Sequence, residues 1–105
     1  MINLKPQELK LVDDILKTHV PNCTVWVFGS RITPKIKPYS DLDLVIIDAQ
    51  PLSIRKYGQL REAFQASILP MRVDVLDWHR LSPEFQAIVL GGYEVLQGNF
   101  QQSDF

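Results

Sequence analysis

Two aspartates separated by one residue are the feature of this sequence that most clearly suggests a catalytic or metal-binding site. Asp41 and Asp43 lie at the start of an apolar run, residues 44–47, that predicts a strand. Side chains alternate across a strand, so both carboxylates share one face, about 7 Å apart. Their mutual repulsion and desolvation favour a bound cation. A hard divalent cation that also binds substrate phosphates meets that need.

A glycine and a serine end the preceding apolar run, residues 25–28, whose β-branched and aromatic composition predicts a buried strand. Gly29 lets the backbone approach a phosphate closely. Ser30 offers a hydroxyl and an N–H where the next helical turn begins, and anions bind well there. The loop that follows carries Arg31 and Lys35 as further phosphate partners. The order of these features predicts a site for a nucleoside triphosphate and its Mg²⁺.

A third aspartate interrupts another apolar stretch, residues 71–78, which we expect to be the third strand. Asp74 lies between Val73 and Val75, where a polar group is rare unless it is paired. If this strand lies beside that of Asp43, Asp74 becomes a third carboxylate of the site. The alternative is an edge strand with Asp74 facing solvent, whereas Asp77, near the strand end, suits a turn or a cap.

Two motifs in this order resemble the signature of the nucleotidyltransferases of the DNA polymerase β superfamily: Gly29-Ser30-Arg31, then Ser40-Asp41-Leu42-Asp43-Leu44. The short chain resembles the minimal nucleotidyltransferases (MNT), antitoxins that are paired with HEPN-domain toxins. In that family the third acid lies on a strand like that of Asp74. The family commonly has a second glycine after Gly-Ser-Arg, whereas this chain has Ile-Thr-Pro at residues 32–34, so we expect a stiffer loop.

The resemblance implies that the chain transfers AMP from ATP to a protein hydroxyl, most plausibly a tyrosine of a HEPN ribonuclease toxin, in a hetero-oligomer. One or two Mg²⁺ ions and ATP would take part. The catalytic and metal-binding residues would be Asp41, Asp43 and Asp74, and the nucleotide-binding residues would be Gly29, Ser30 and Arg31.

Two alternatives remain open at this stage. The fold could serve as a binding module that only covers its partner's active site. It could also be a nucleotidyltransferase for a small molecule, although the short chain leaves little room for an acceptor-binding domain.

The composition favours one globular domain. The chain has 105 residues, 46% of them hydrophobic, and a net charge of −1. This size suits a single modest core, which we place at residues 1–97, with a flexible tail at 98–105. The near-zero net charge argues against direct nucleic-acid binding, and no apolar run is long enough for a membrane span. With one cysteine, Cys23, no internal disulfide is possible. We expect a cytoplasmic protein.

Apolar periodicity predicts helices over residues 4–19, from Ser53 to before Pro70, and from Ser82 to the glycine pair at residues 91–92. Residues 93–96 suit a short edge strand. The short link between the first two strands favours antiparallel pairing. The expected fold is α/β (α+β), the single-domain nucleotidyltransferase fold, with a mixed sheet of three or four strands and helices packed on one face.

Overall fold

A four-stranded mixed sheet in the order β3-β2-β1-β4 forms the frame of the protein. The computed structural model describes residues 2–33 and 40–98. Lys35 and, apart from Gly98, the predicted tail lie outside the described residues. The strands are β1 (Thr24–Phe28), β2 (Leu42–Ile47), β3 (Val73–Asp77) and β4 (Tyr93–Gln97), and the helices are α1 (Pro6–His19), α2 (Ile54–Gln65) and α3 (Pro83–Leu90).

The strand pairing confirms the predicted mixed sheet. β1 pairs antiparallel with β2, as the short connection between them predicts, and β4 pairs antiparallel with the other side of β1. β2 and β3 are parallel, and α2 provides the crossover between them. β3 and β4 are therefore the edges of this sheet.

Helices α2 and α3 begin at the capping residues that the sequence indicates. Ser53 Oγ accepts from the Lys56 N–H at 3.1 Å at the start of α2. Ser82 Oγ accepts from the Phe85 N–H at 3.1 Å at the start of α3. Each bond satisfies a backbone donor that has no partner within the helix. These caps fix where the chain enters each helix after leaving the sheet.

The sheet is covered on both faces. On one face α1 and α2 pack over β1 and β2 through a core of Val12, Leu16, Leu60 and Phe64 with Val25, Val27, Leu44 and Ile46. On the other, Val89 of α3 packs with Trp26, Phe28, Val45 and Ile47.

The predicted fold class is confirmed, but the expectation that all helices pack on one face is wrong for α3. The cause is visible in the sequence of the strands: residues 25–28 and 44–47 are apolar at every position, so both faces of the central strands must be covered. Within residues 2–33 and 40–98, none of the helices is long and apolar enough to cross a membrane.

Candidate active site

Two aspartates face each other across the parallel strands β2 and β3. Asp43 and Asp74 are register partners, so their side chains project from the same face of the sheet. Asp43 is also the register partner of Phe28, the last residue of β1. Asp41 is exposed and immediately precedes β2. The strand order thus brings Asp74 beside Asp43, as the sequence predicted on condition that the two strands are neighbours.

The environment of Asp43 disfavours its charge. Burial raises the pKa of Asp43 to about 6, with further contributions from the charges of Asp74 and Asp41. A hydrogen bond with the Asp74 carboxyl acts in the same direction, because it forms only when one of the two acids is protonated. Arg72 partly opposes this rise. The protein alone therefore leaves negative charge uncompensated here.

An arginine pairs with the second of these acids. Arg72 Nε donates to Asp74 Oδ1 at 3.0 Å, and the two side chains are 75% and 32% exposed. The sequence analysis did not assign Arg72 a role in the site. The signal was present, since residues two apart on a strand share a face. At this exposure the pair is weak enough to open when a ligand arrives.

Gly29 lies directly against the Asp43 carboxylate. Its φ is +78°, in the left-handed region that glycine adopts easily. A Cβ at this position would lie 2.5 Å from Asp43 Oδ2, closer than atoms can pack. Gly29 opens a 3₁₀ turn, Gly29–Ile32, and the Ser30 carbonyl accepts from the Thr33 N–H at 3.2 Å and the Thr33 hydroxyl at 3.0 Å. The turn that begins at Gly29 and the carboxylates of Asp43 and Asp74 (the acidic pair) therefore form one site.

The Arg31 side chain makes hydrogen bonds within the protein, and its predicted nucleotide-binding role stays a prediction. Its side chain is buried, with the residue 4% exposed. Nε and Nη2 donate to the Ser40 carbonyl at 3.1 and 2.7 Å, and Nη1 donates to the Asn3 carbonyl at 3.1 Å. Asn3 returns a bond from its N–H to the Arg31 carbonyl at 2.7 Å and one from Nδ2 to the Thr33 carbonyl at 2.6 Å.

These bonds link Thr33 and Ser40, the residues immediately before and after residues 34–39. Ser40 immediately precedes Asp41, so Arg31 fixes the backbone that leads into Asp41 and Asp43. Asn3 was missed by sequence reasoning, and no sequence signal could have found it, because its partners are about thirty residues away.

The acids suit a magnesium ion that is bound in part by its substrate. In the described part of the chain, no group of three or more His, Cys, Asp or Glu side chains is arranged to hold a metal by itself. Mg²⁺ is commonly bound by one or two carboxylates together with substrate phosphates and water. Asp43, with its raised pKa, and the neighbouring Asp41 and Asp74 fit that mode of binding.

Asp77, at the far end of β3, serves a structural purpose. Its Oδ2 accepts from the Leu52 N–H at 2.8 Å and from Arg80 Nη1 at 2.5 Å. Its Oδ1 accepts from the His79 N–H at 3.1 Å, which caps the 3₁₀ turn Trp78–Arg80. The predicted capping role is confirmed, and the side chain also anchors the segment before α2.

Comparison with known families and proteins gives a consistent result. Residues 10–101 match the family model described as "Polymerase beta, Nucleotidyltransferase". The chain is 48% identical over 96 residues to a protein of Haemophilus influenzae named "Probable protein adenylyltransferase MntA", a match that covers 91% of this chain and 84% of that one.

Solved structures show the same fold. A toxin–antitoxin crystal structure with AMP-PNP matches with a TM-score of 0.73 and 24% identity, over 91% of this chain and 76% of that one. A complex of tri-AMPylated Shewanella oneidensis HEPN toxin with MNT antitoxin matches with a TM-score of 0.70 and 24% identity, over 96% and 77%. Spectinomycin adenyltransferase AAD(9) from Enterococcus faecialis matches at 0.55 and 19%, over 88% of this chain and 48% of that one.

Proposed function

Because this chain belongs to the polymerase beta nucleotidyltransferase family, we propose that it transfers AMP from ATP to a hydroxyl group of a HEPN toxin and so acts as its antitoxin. The relative in Haemophilus influenzae, named as a protein adenylyltransferase, supports the reaction. The complex of tri-AMPylated HEPN toxin with MNT antitoxin supports the acceptor and successive transfers. The observation in this chain that carries the proposal is the Asp43–Asp74 pair, packed against the Gly29 turn and short of positive charge.

The three acids would serve metal binding and proton transfer in this proposal. Asp41 and Asp43 would hold one or two Mg²⁺ ions together with the triphosphate of ATP, and Asp74 would contribute to the same cluster. When bound, the metal supplies charge neutralisation at the phosphates. Asp74 accepts the proton of the attacking hydroxyl. The hydroxyl oxygen forms a bond to the α-phosphorus of ATP, and the bond from that phosphorus to pyrophosphate breaks.

The Gly-Ser turn serves the donor side. The backbone after Gly29 and the Ser30 hydroxyl hold the β- and γ-phosphates, because short turns of exposed N–H groups bind anions. Arg31 acts indirectly, by fixing Ser40 and hence Asp41. Lys35, which the sequence offered as a further phosphate partner, remains a prediction.

The consequence for the toxin follows from charge. An attached AMP places a negative phosphodiester and a bulky base where a ribonuclease must accept RNA phosphates, and like charges repel. Inhibition by modification is catalytic, so a small amount of antitoxin silences a larger amount of toxin. Inhibition by masking requires at least one antitoxin for each toxin.

Intact-mass measurement of the HEPN partner separates these two modes. The partner is co-expressed either with the wild-type protein or with the D41N/D43N variant. We expect a mass gain of one or more AMP units with the wild-type protein and none with the variant. A partner that is inhibited but unmodified in both cases would refute the transfer reaction and leave the binding-module alternative.

A further inference from the structure

A cavity lies between α2 and β3, an edge strand of the sheet. Its volume is about 520 Å³, within the range of pockets that bind ligands. The lining includes Tyr57, Arg61, Phe64 and Gln65 of α2 and all of residues 73–76 of β3. Side chains alternate between the two faces of a strand, so consecutive residues line one cavity only where it also meets the backbone of the strand edge. The backbone edge of β3 is therefore one wall of the cavity.

The cavity is on a different side of the sheet from the proposed active site. Val73 and Val75 pack with the core under α1 and α2. Asp74 lies between them in the strand, so its side chain projects from the face that α3 covers. Asp43, its register partner, shares that face. A ligand in the cavity therefore contacts α2 and the edge of β3 rather than the acidic pair.

The outer side of β3 presents backbone groups that can pair with another strand. The Arg72 carbonyl accepts from the Leu42 N–H at 2.9 Å, so the backbone groups of Arg72 and of every second residue after it face β2. Those of Val73 and Val75 face outward, and the Val75 carbonyl accepts from the Tyr57 hydroxyl there at 2.8 Å. In residues 2–33 and 40–98, no strand pairs with this side of β3. Such an edge is a template for an added strand.

The α2 wall of the cavity carries a positive charge. The Arg61 guanidinium lies 5.5 Å from the centroid of the Tyr57 ring, and both residues line the cavity. None of the ion pairs found among the described residues includes Arg61. Asp74 is the acid among the lining residues, and its carboxylate accepts from Arg72 instead. Ile68, between α2 and β3, is 85% exposed, so an apolar contact is available beside this charge.

We propose that the edge of β3 binds an extended, acidic segment of a partner protein, which joins the sheet as an additional strand. The backbone of the segment bonds to the outward groups of Val73 and Val75. Alternate side chains of the segment point toward α2, where an acidic one meets Arg61 and apolar ones cover Tyr57 and Phe64. The site is separate from the proposed AMP transfer, because its contacts lie on the other side of the sheet from the acidic pair.

Two synthetic peptides of about seven residues test the charge preference: one alternates Val with Glu, and the other alternates Val with Lys. We expect the wild-type protein to bind the Glu peptide about tenfold more tightly than the Lys peptide, the effect of one charge-assisted hydrogen bond. R61Q should lose this preference. R55Q should keep it, since Arg55 is exposed on the same helix and does not line the cavity. Absence of binding, or an unchanged preference in R61Q, would overturn the proposal.

Amide hydrogen exchange distinguishes strand addition from a contact through charge alone. We expect saturating Glu peptide to slow exchange of the outward Val75 N–H about tenfold, because that group becomes hydrogen-bonded. The Asp74 N–H, which faces β2, is the internal control and should change little. Peptide binding that leaves Val75 exchange unchanged would overturn the added strand.

A proline at the start of β3 tests the same backbone pairing by mutation. V73P removes an outward N–H and keeps the pairing with β2, since proline is tolerated at the first residue of an edge strand. V73A, which retains the N–H, is the matched control. We expect V73P to bind the Glu peptide about tenfold more weakly than V73A, the effect of one lost hydrogen bond. Equal binding by the two folded variants would contradict pairing at Val73.

Discussion

Strand β3 carries an aspartate near each end, and their surroundings differ sharply. Asp77 has a side chain only 3% exposed, and it accepts bonds from two backbone N–H groups and from Arg80. Asp74 is 32% exposed, pairs with the exposed Arg72, and faces Asp43. At one end the protein balances the buried charge itself. At the other end it brings carboxylates together, and one exposed arginine balances their charge only in part.

This difference distinguishes a carboxylate that stabilises the fold from carboxylates that await a ligand. A buried acid with donors for its lone pairs contributes to stability, and its removal leaves those donors unpaired. Acids crowded until one pKa rises to about 6 lower the stability of the free protein. Such a cost is typical of functional sites. The predictions below are arranged from the largest expected effect to the smallest.

Removal of the Asp74 carboxylate should abolish AMP transfer and leave the fold intact. D74N keeps the shape of the side chain but loses its charge and basicity. We expect single-turnover AMP transfer to fall about a thousandfold, in the range found for the loss of a general base. D14N is the control, because Asp14 is exposed on α1, far along the chain from the site. The ion pair described for it is with the exposed Lys10. A wild-type transfer rate in D74N would show that Asp74 is not the third carboxylate.

Removal of the Asp77 carboxylate, at the other end of β3, should instead destabilise the fold. D77A leaves the Leu52 N–H and the Arg80 guanidinium without their buried acceptor. We expect the free energy of unfolding to fall by about 3 kcal/mol. Urea unfolding measures it, with D74A as the matched variant on the same strand. If D77A loses no more stability than D74A, the contrast between the two ends is wrong.

Arg31 tests whether a basic residue of the motif positions the site or binds phosphate. R31M removes the hydrogen bonds that Arg31 donates to the carbonyls of Ser40 and Asn3. We expect it to lose about 2 kcal/mol of stability in the absence of any nucleotide, and R31K to lose less. Unfolding in nucleotide-free buffer measures both variants. Unchanged stability together with weaker ATP binding would restore the phosphate role.

Asp43 should make the metal-free protein less stable as pH rises. Its pKa increases from 3.8 to about 6 on folding, so between these values the folded protein holds a proton that the unfolded chain has lost. The free energy of unfolding therefore falls across that window, and the penalty is complete above it. D43N should remove the penalty and gain about 1 kcal/mol at pH 7, after allowance for solvent screening, but nothing at pH 4.

Thermal unfolding in EDTA at the two pH values measures this effect, which amounts to a few degrees in Tm for a domain of this size. D48N is the control, since Asp48 is exposed just after β2. A D43N protein that is less stable than wild type at pH 7 would contradict the claim that the charge of Asp43 destabilises the folded protein.

Much of the fold could be predicted from local patterns. Apolar runs located the strands, and the capping residues Ser53 and Ser82 marked two helix starts within one residue. The position of α3 was not predicted, because helical periodicity shows that a helix has an apolar face but not which side of the sheet it covers. That information lay in the strands, whose apolar residues occupy both faces.

The candidate site was predictable to the extent that strand alternation and register determine it. Asp43 and Asp74 meet because β2 and β3 are parallel neighbours. The direction of the Arg31 side chain was not predictable, since its acceptors are backbone carbonyls that only the folded chain brings near. The cavity between α2 and β3, lined in part by Tyr57 and Arg61, was not predictable either, because it forms between elements rather than within one.

The most direct test of the central claim is calorimetric titration of AMP-PNP into the wild-type protein and the D41N/D43N variant, each with Mg²⁺ and with EDTA. If the acids are left unbalanced in order to hold a metal–nucleotide complex, the wild-type protein will bind AMP-PNP with Mg²⁺ and lose that binding in EDTA. The variant will stay folded and show no Mg²⁺-dependent binding. Equal affinity of the two proteins, or wild-type binding that is the same in EDTA, would contradict the claim.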